Sequence, residues 1–121
     1  MLKGGTDVQY GDFTFYQREA KKTAEYPGKN SLTGLLYTAL GLAGEAGEIS
    51  NKIKKILRDD YLGITVERRA EIYQELGDLM WYISQMCEEL NADLGTIITL
   101  NLEKLRSRKE RNTIKGSGDT R

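Results

Sequence analysis

Two pairs of acidic residues interrupt two helical patterns that are otherwise apolar on one side. In Gly41-Leu42-Ala43-Gly44-Glu45-Ala46-Gly47-Glu48-Ile49 the acids Glu45 and Glu48 are three residues apart, and in Glu75-Leu76-Gly77-Asp78-Leu79 so are Glu75 and Asp78. On a helix this spacing places both members of a pair on nearly the same side. Around the first pair, Ala39, Leu42, Ala46, Ile49, Ile53 and Ile56 recur in steps of three and four, the stripe of a packed helix. Ile72, Leu76, Leu79, Ile83, Met86 and Leu90 repeat the rhythm around the second pair. Each acid stands one position before a stripe residue, so helices packed through these stripes bring four carboxylates to the edge of an apolar seam. Like charges gathered there need a counter-charge, and a divalent cation supplies it.

Composition narrows which cation. The 121 residues contain no histidine and a single cysteine, Cys87, set among apolar neighbours. Histidine triads, histidine-ligated zinc and an internal disulfide are thereby excluded, as is a di-iron bundle, which takes its ligands from Glu-x-x-His pairs. An all-oxygen ligand set favours Mg2+, with Mn2+ as the other candidate. Eighteen basic and eighteen acidic residues cancel, which argues against a nucleic-acid or membrane surface, although bases outnumber acids from Asn101 to Arg121. No apolar run approaches the roughly 20 residues of a membrane span, and no secretory signal opens the chain, so a cytoplasmic protein is expected.

The chain reads as one all-α domain over residues 1–121, a four-helix bundle-like arrangement whose two long central helices carry the acids. Residues 1–11 are expected to form a loose arm. Asp12 or Thr14 caps a short helix that contains Tyr16 and Gln17 and stops before Tyr26-Pro27-Gly28. Ser31 is the expected cap of a helix from Leu32 to about Arg58, where Gly41, Gly44 and Gly47 imply a partner helix or ligand close to the backbone. Beyond its acids Lys52 and Lys55 continue the polar strip, placed to meet phosphates. Asp59 to Gly63 reads as a connection and Thr65 as the cap of a helix reaching about Leu90, apolar around most of its circumference and so expected to be buried. Its polar strip is Glu75, Asp78, Tyr82 and Gln85. Asp93 caps a last helix to about Arg111, with Leu94, Ile97, Ile98, Asn101, Leu102 and Leu105 inward, before a flexible tail at 112–121. Helices of about 26 residues are close to 40 Å long, long for a small domain to cover, which implies a partner subunit.

The segments Gly41 to Glu48 and Glu75 to Tyr82 together resemble the Glu-x-x-Glu and Glu-x-x-Asp signature of MazG-like nucleoside triphosphate pyrophosphohydrolases, and the likeness extends through Lys52 to Arg58, Asn101 to Leu105 and Lys115 to Asp119. The resemblance implies an all-α fold related to helical dUTPases, a homodimer or homotetramer, and Mg2+-dependent hydrolysis of a nucleoside triphosphate between the α and β phosphates. It makes Glu45, Glu48, Glu75 and Asp78 the metal ligands and catalytic acids. Asn101, Lys104, Lys115 and Ser117 become candidate substrate contacts beside Lys52 and Lys55. Tyr82, on the acid strip, and Trp81, whose other reading is core packing, are candidates to border the base or sugar, and Gln17 is a candidate reader of a base edge. A house-cleaning role against surplus or noncanonical triphosphates is the leading expectation. A narrower dCTP or dUTP pyrophosphatase, or a phosphoribosyl-ATP hydrolase, is the runner-up, and a non-catalytic helical dimerisation module is the alternative of another class.

Overall fold

The computed structural model describes residues 12–59 and 63–121; the expected arm at 1–11 and the middle of the connection, 60–62, lie outside the described residues. Four helices follow in order, α1 (Phe13–Lys21), α2 (Leu32–Asp59), α3 (Val66–Glu89) and α4 (Leu94–Glu110), with no strand among the described residues. Short-range chemistry sets their ends. The carboxylates of Asp12 and Asp93 and the hydroxyl of Thr65 accept hydrogen bonds from the first-turn amides of Thr14, Thr96 and Arg68. Ser31 behaves otherwise: its hydroxyl donates back to the Gly28 carbonyl, and only its own carbonyl joins α2, accepting from Leu35. Both α3 and α4 end on an asparagine in the left-handed region, Asn91 at φ 54° and Asn112 at φ 56°. The next amides, of Ala92 and Thr113, reach back to the carbonyls of Cys87 and Arg108 at 2.8 and 2.7 Å, closing a Schellman motif at each end.

The helices α2 and α3 form an antiparallel pair in fixed register. Gly34 lies against Glu89, Gly41 against the Tyr82 ring, and Lys52 beside Glu71 at 3.7 Å. A step of seven residues along α2 (34 to 41) is thus matched by seven back along α3 (89 to 82), and eleven (41 to 52) by eleven (82 to 71). The same register sets 45 opposite 78 and 48 opposite 75. Gly41 is where this pairing is tightest, since a methyl group built on its Cα would fall inside the Tyr82 ring. At Gly44 and Gly47 no such contact comes from within the described residues, where nothing lies within 4 Å of a Cβ added at either.

Helix α1 rests against both α3 and α4, and one buried side chain joins the three. The Gln17 amide donates to Glu88 Oε2 at 2.7 Å and to the Ala92 carbonyl at 2.9 Å, while its oxygen accepts from the Leu94 amide at 2.7 Å. Both polar ends are spent on the α3–α4 turn. Gln17, the expected candidate reader of a base edge, thus has its side-chain amide engaged by polar groups at the end of α3 and in the α3–α4 turn.

Burial also departs from the sequence reading. Tyr73 and Leu76 on α3 are 61% and 48% exposed, and Ile97, Leu102 and Leu105, expected to face inward on α4, are all exposed. The cause is architectural: among the described residues the long hairpin has only two layers, and of the other helices α1 is the main one packed on α4, so much of the outer sides of α2, α3 and α4 is left uncovered by another described helix.

Two substitutions test this packing by urea unfolding. Gln17→Ala is expected to cost about 2–4 kcal/mol, because it removes three hydrogen bonds and strands the buried Leu94 amide. Gly41→Ala is expected to be destabilising by about 1–3 kcal/mol through overpacking against Tyr82, although alanine is intrinsically the better helix former.

Candidate metal and nucleotide site

The register of α2 and α3 brings acids from both helices together. Carboxylate oxygens of Glu45, Glu75 and Asp78 lie within 4.8 Å of one another; Glu45 and Glu75 are half-buried and Asp78 is exposed. The fourth expected ligand, Glu48, is exposed and stands outside this close group, though near enough for its charge to act on Glu45. Two unit charges at such a separation repel by about 3–4 kcal/mol at an effective dielectric of about 20. The site answers with a proton. Burial, a hydrogen bond with Glu75 and the charges of Asp78, Glu75 and Glu48 push the Glu45 carboxyl up from 4.5 to about 7.

Glu45 is also where the site is incomplete by its own bonds: its Oε2 is shielded from solvent and has no hydrogen-bond partner. A buried, unmated carboxylate oxygen beside two more carboxylates, with no nitrogen or sulfur donor among them, suits a hard divalent cation that takes oxygen ligands.

Around the acids the two helices supply different chemistry on either side. Toward the C-terminus of α2, Lys52 holds its ammonium 3.7 Å from Glu71 and 4.0 Å from Glu75. Lys55, half-buried one turn on, acts on Asp59. In the other direction lies an aromatic cluster. Tyr82 is hydrogen-bonded to Tyr37 and feels the charges of Glu45 and Asp78, which with burial raise its hydroxyl's pKa. Trp81 stands edge-on to Tyr82 at 5.1 Å and to Tyr26 at 6.3 Å, and its indole N–H donates to Thr23 at 2.8 Å. Trp81 is thus tied to the α1 side of the cluster. Tyr26 and Tyr37 are stacked, centroids 5.2 Å apart.

Three neighbours of the site carry no mark in the sequence pattern that first singled out the acids. Tyr16 on α1 approaches closely enough for the Asp78 charge, after burial, to raise its pKa. Tyr37 is the hydrogen-bonding mate of Tyr82. Glu71 could have been found, because it sits one turn before Glu75 on the same strip of α3.

The remaining candidates belong to a separate arm. Asn101 and Lys104, with Ile97 and Leu100, line a shallow groove of about 280 Å³ on α4. Lys104 and the buried Arg108 both hold Asp119, at 3.2 and 3.1 Å. Lys115 and Ser117 lie in the stretch so anchored, where Arg121 donates to the carbonyls of Thr113 and Ile114, and Arg111 donates to that of Arg121. The described ion pairs of this arm are internal to it and do not include the acids of α2 and α3. No described helix is long and apolar enough to cross a membrane.

Residues 34–113, which include all four acids, match the sequence model of the MazG nucleotide pyrophosphohydrolase domain. The chain is also 52% identical over 109 residues to the Gene 37 protein of Mycobacterium phage L5, a match covering 88% of this chain and 96% of that protein. No solved structure matches. The paired acids, the helical hairpin that aligns them and the extent of the match lead to one assignment: the chain belongs to the MazG nucleotide pyrophosphohydrolase domain family.

Proposed function

We propose that this protein is a Mg2+-dependent nucleoside triphosphate pyrophosphohydrolase of the cytoplasm, cleaving a ribo- or deoxyribonucleoside triphosphate between the α and β phosphates and releasing the monophosphate and pyrophosphate. The observation that carries the reading is the group of three carboxylates from facing helices, one with a shielded, unmated oxygen. Glu45, Glu75 and Asp78 would hold the cation, with Glu48 completing the set from its exposed position. When bound, magnesium offsets charge on the triphosphate and makes a water easier to deprotonate.

The chain's own residues account for the rest. Glu48, exposed and outside the tight group, is the acid we assign to orienting the attacking water and taking its proton, through an oxygen it does not give to the metal. Lys52 is shared between Glu71 and Glu75 at 3.7 and 4.0 Å, long enough for a phosphate oxygen to compete for its ammonium. Tyr82, with Gly41 leaving room for its ring, borders the sugar and base on the opposite side.

The role we infer is house-cleaning, removal of surplus or noncanonical triphosphates. The working form is a homodimer or homotetramer, supported by the exposed apolar flanks of the hairpin, among them Leu36, Leu40, Tyr73 and Leu76. Pairing through those flanks would also account for Gly44 and Gly47, whose open surface lets another backbone approach. Asn101, Lys104, Lys115 and Ser117 would then serve as phosphate contacts from the α4 arm.

Purified protein with magnesium and a panel of triphosphates is expected to release pyrophosphate and not orthophosphate. Glu45→Ala, Glu75→Ala and Asp78→Ala should each lower kcat at least about a hundredfold while leaving the helical circular dichroism intact. Orthophosphate as the product would place the attack elsewhere, and unchanged turnover in all three variants would leave a non-catalytic pairing module. Stability gives a second readout. A carboxyl whose pKa rises from 4.5 unfolded to about 7 folded binds its proton more tightly in the native state. Metal-free protein should therefore lose stability as pH rises through that window and change little from this group outside it. Glu45→Gln, or saturating magnesium competing for the same oxygens, should flatten the slope in urea titrations.

A further inference from the structure

Gln85 is 1% exposed, and the Nε2 of its amide is shielded from solvent with no hydrogen-bond partner. A donor buried in this way costs about 1–3 kcal/mol against an apolar side chain of the same shape, so its presence calls for an acceptor that arrives from outside the chain. Its position indicates where. Gln85 follows Asp78 by seven residues, two turns along the same side of α3 and about 10 Å up the axis. That is the span from the α-phosphorus of a nucleotide to the polar edge of its base. The helix register puts Thr38 opposite, but its hydroxyl, which donates to the Leu35 carbonyl, is not hydrogen-bonded to the Gln85 amide nitrogen.

The residues one turn to either side of Gln85 both hold a ring of one stacked pair. One turn before Gln85, Tyr82 is hydrogen-bonded to Tyr37; one turn after it, Glu89 accepts from the Tyr26 hydroxyl at 2.6 Å. Tyr26 and Tyr37 stack on each other at 5.2 Å with an interplanar angle of 4°, bridging the two residues that flank Gln85. Tyr26 is buried at 8% exposure, whereas Tyr37, the outer ring, is 38% exposed. Tyr37 is therefore the solvent-side ring of the stack, the one an incoming base would meet first.

We propose that Gln85 is the specificity-determining residue of the site: it reads the base of the bound nucleotide through an edge with a hydrogen-bond donor beside an acceptor, while the base stacks in the tyrosine cluster. This rests on the nucleotide reading above and adds to it the selection of a nucleotide over a bare polyphosphate. An amide offers one donor and one acceptor side by side, the complement of such an edge. Each common base has such a pair on its pairing edge, in one order for adenine and cytosine and in the reverse order for guanine and thymine, so an amide held in one orientation is left unmated by the reverse order, and that penalty is the source of discrimination.

The test is calorimetric binding of the four common deoxynucleoside triphosphates and of inorganic tripolyphosphate, with calcium in place of magnesium to suppress turnover. Wild-type protein is compared with Gln85→Leu and Gln85→Met, whose folding is followed by urea unfolding. Wild type should separate one pair of bases, adenine with cytosine or guanine with thymine, from the other pair by about tenfold, the equivalent of one to two hydrogen bonds. Either variant should collapse that spread to within about twofold, hold tripolyphosphate affinity constant, and keep or raise the urea midpoint. The proposal is overturned if wild type shows no base preference, if a folded variant keeps it, or if tripolyphosphate affinity falls in step with the nucleotides, the signature of a structural role. Hydrolysis is not read in this experiment, so base-dependent binding that is lost in the variants without any pyrophosphate release in wild type would sink the hydrolase assignment alone.

Discussion

Carboxylates do not gather in one place unless something larger holds them there, and in this chain that restraint is the antiparallel pairing of α2 with α3. Its register is fixed along the hairpin by Gly34 against Glu89, Gly41 against the Tyr82 ring and Lys52 beside Glu71, with Gly41 the tightest of the three. Once that pair is seated, residue 45 must face 78, and mutual repulsion becomes a property of the folded state. The repulsion is relieved by a proton on Glu45, held up to about 7, and a divalent cation would relieve it more completely. Folding energy from the hairpin is thereby stored as affinity for a counter-charge.

The asymmetry on either side of the acids follows from the same pairing. Lys52 and Lys55 lie toward the C-terminus of α2, and Tyr37, Tyr82, Trp81 and Tyr26 cluster toward its N-terminus. A cationic end and an aromatic end separated by an acid cluster is the layout that a triphosphate joined to a base requires. The Gln85 amide, buried on the aromatic side, extends that layout by one more polar group.

Much of this was legible because it is local. The i, i+3 spacing of the acids, the helix bounds of α2, α3 and α4, and the caps Thr65 and Asp93 all depend on residues within a few positions of each other. What was not legible depends on distance along the chain. Gln17 looks like any exposed polar residue until residues 88, 92 and 94 are brought to it. Tyr16 meets Asp78 only because α1 packs on α3. Arg108 sits in a basic run that reads as a solvated helix end, yet it is 4% exposed, folded under the Asp119 segment. The periodic stripes were read correctly as apolar faces, but their burial was overestimated, since periodicity says which side is apolar and not whether one chain has enough layers to cover it. The open Gly44 and Gly47 belong to that same uncovered side.

The most direct test of the central claim is where a divalent cation settles. Crystals soaked in manganese and measured at an anomalous-scattering wavelength should show density bounded by Glu45, Glu75 and Asp78, with the Glu45 carboxylate among the ligating groups. Manganese density elsewhere on the protein, with those three side chains unliganded at a saturating soak, would contradict the account.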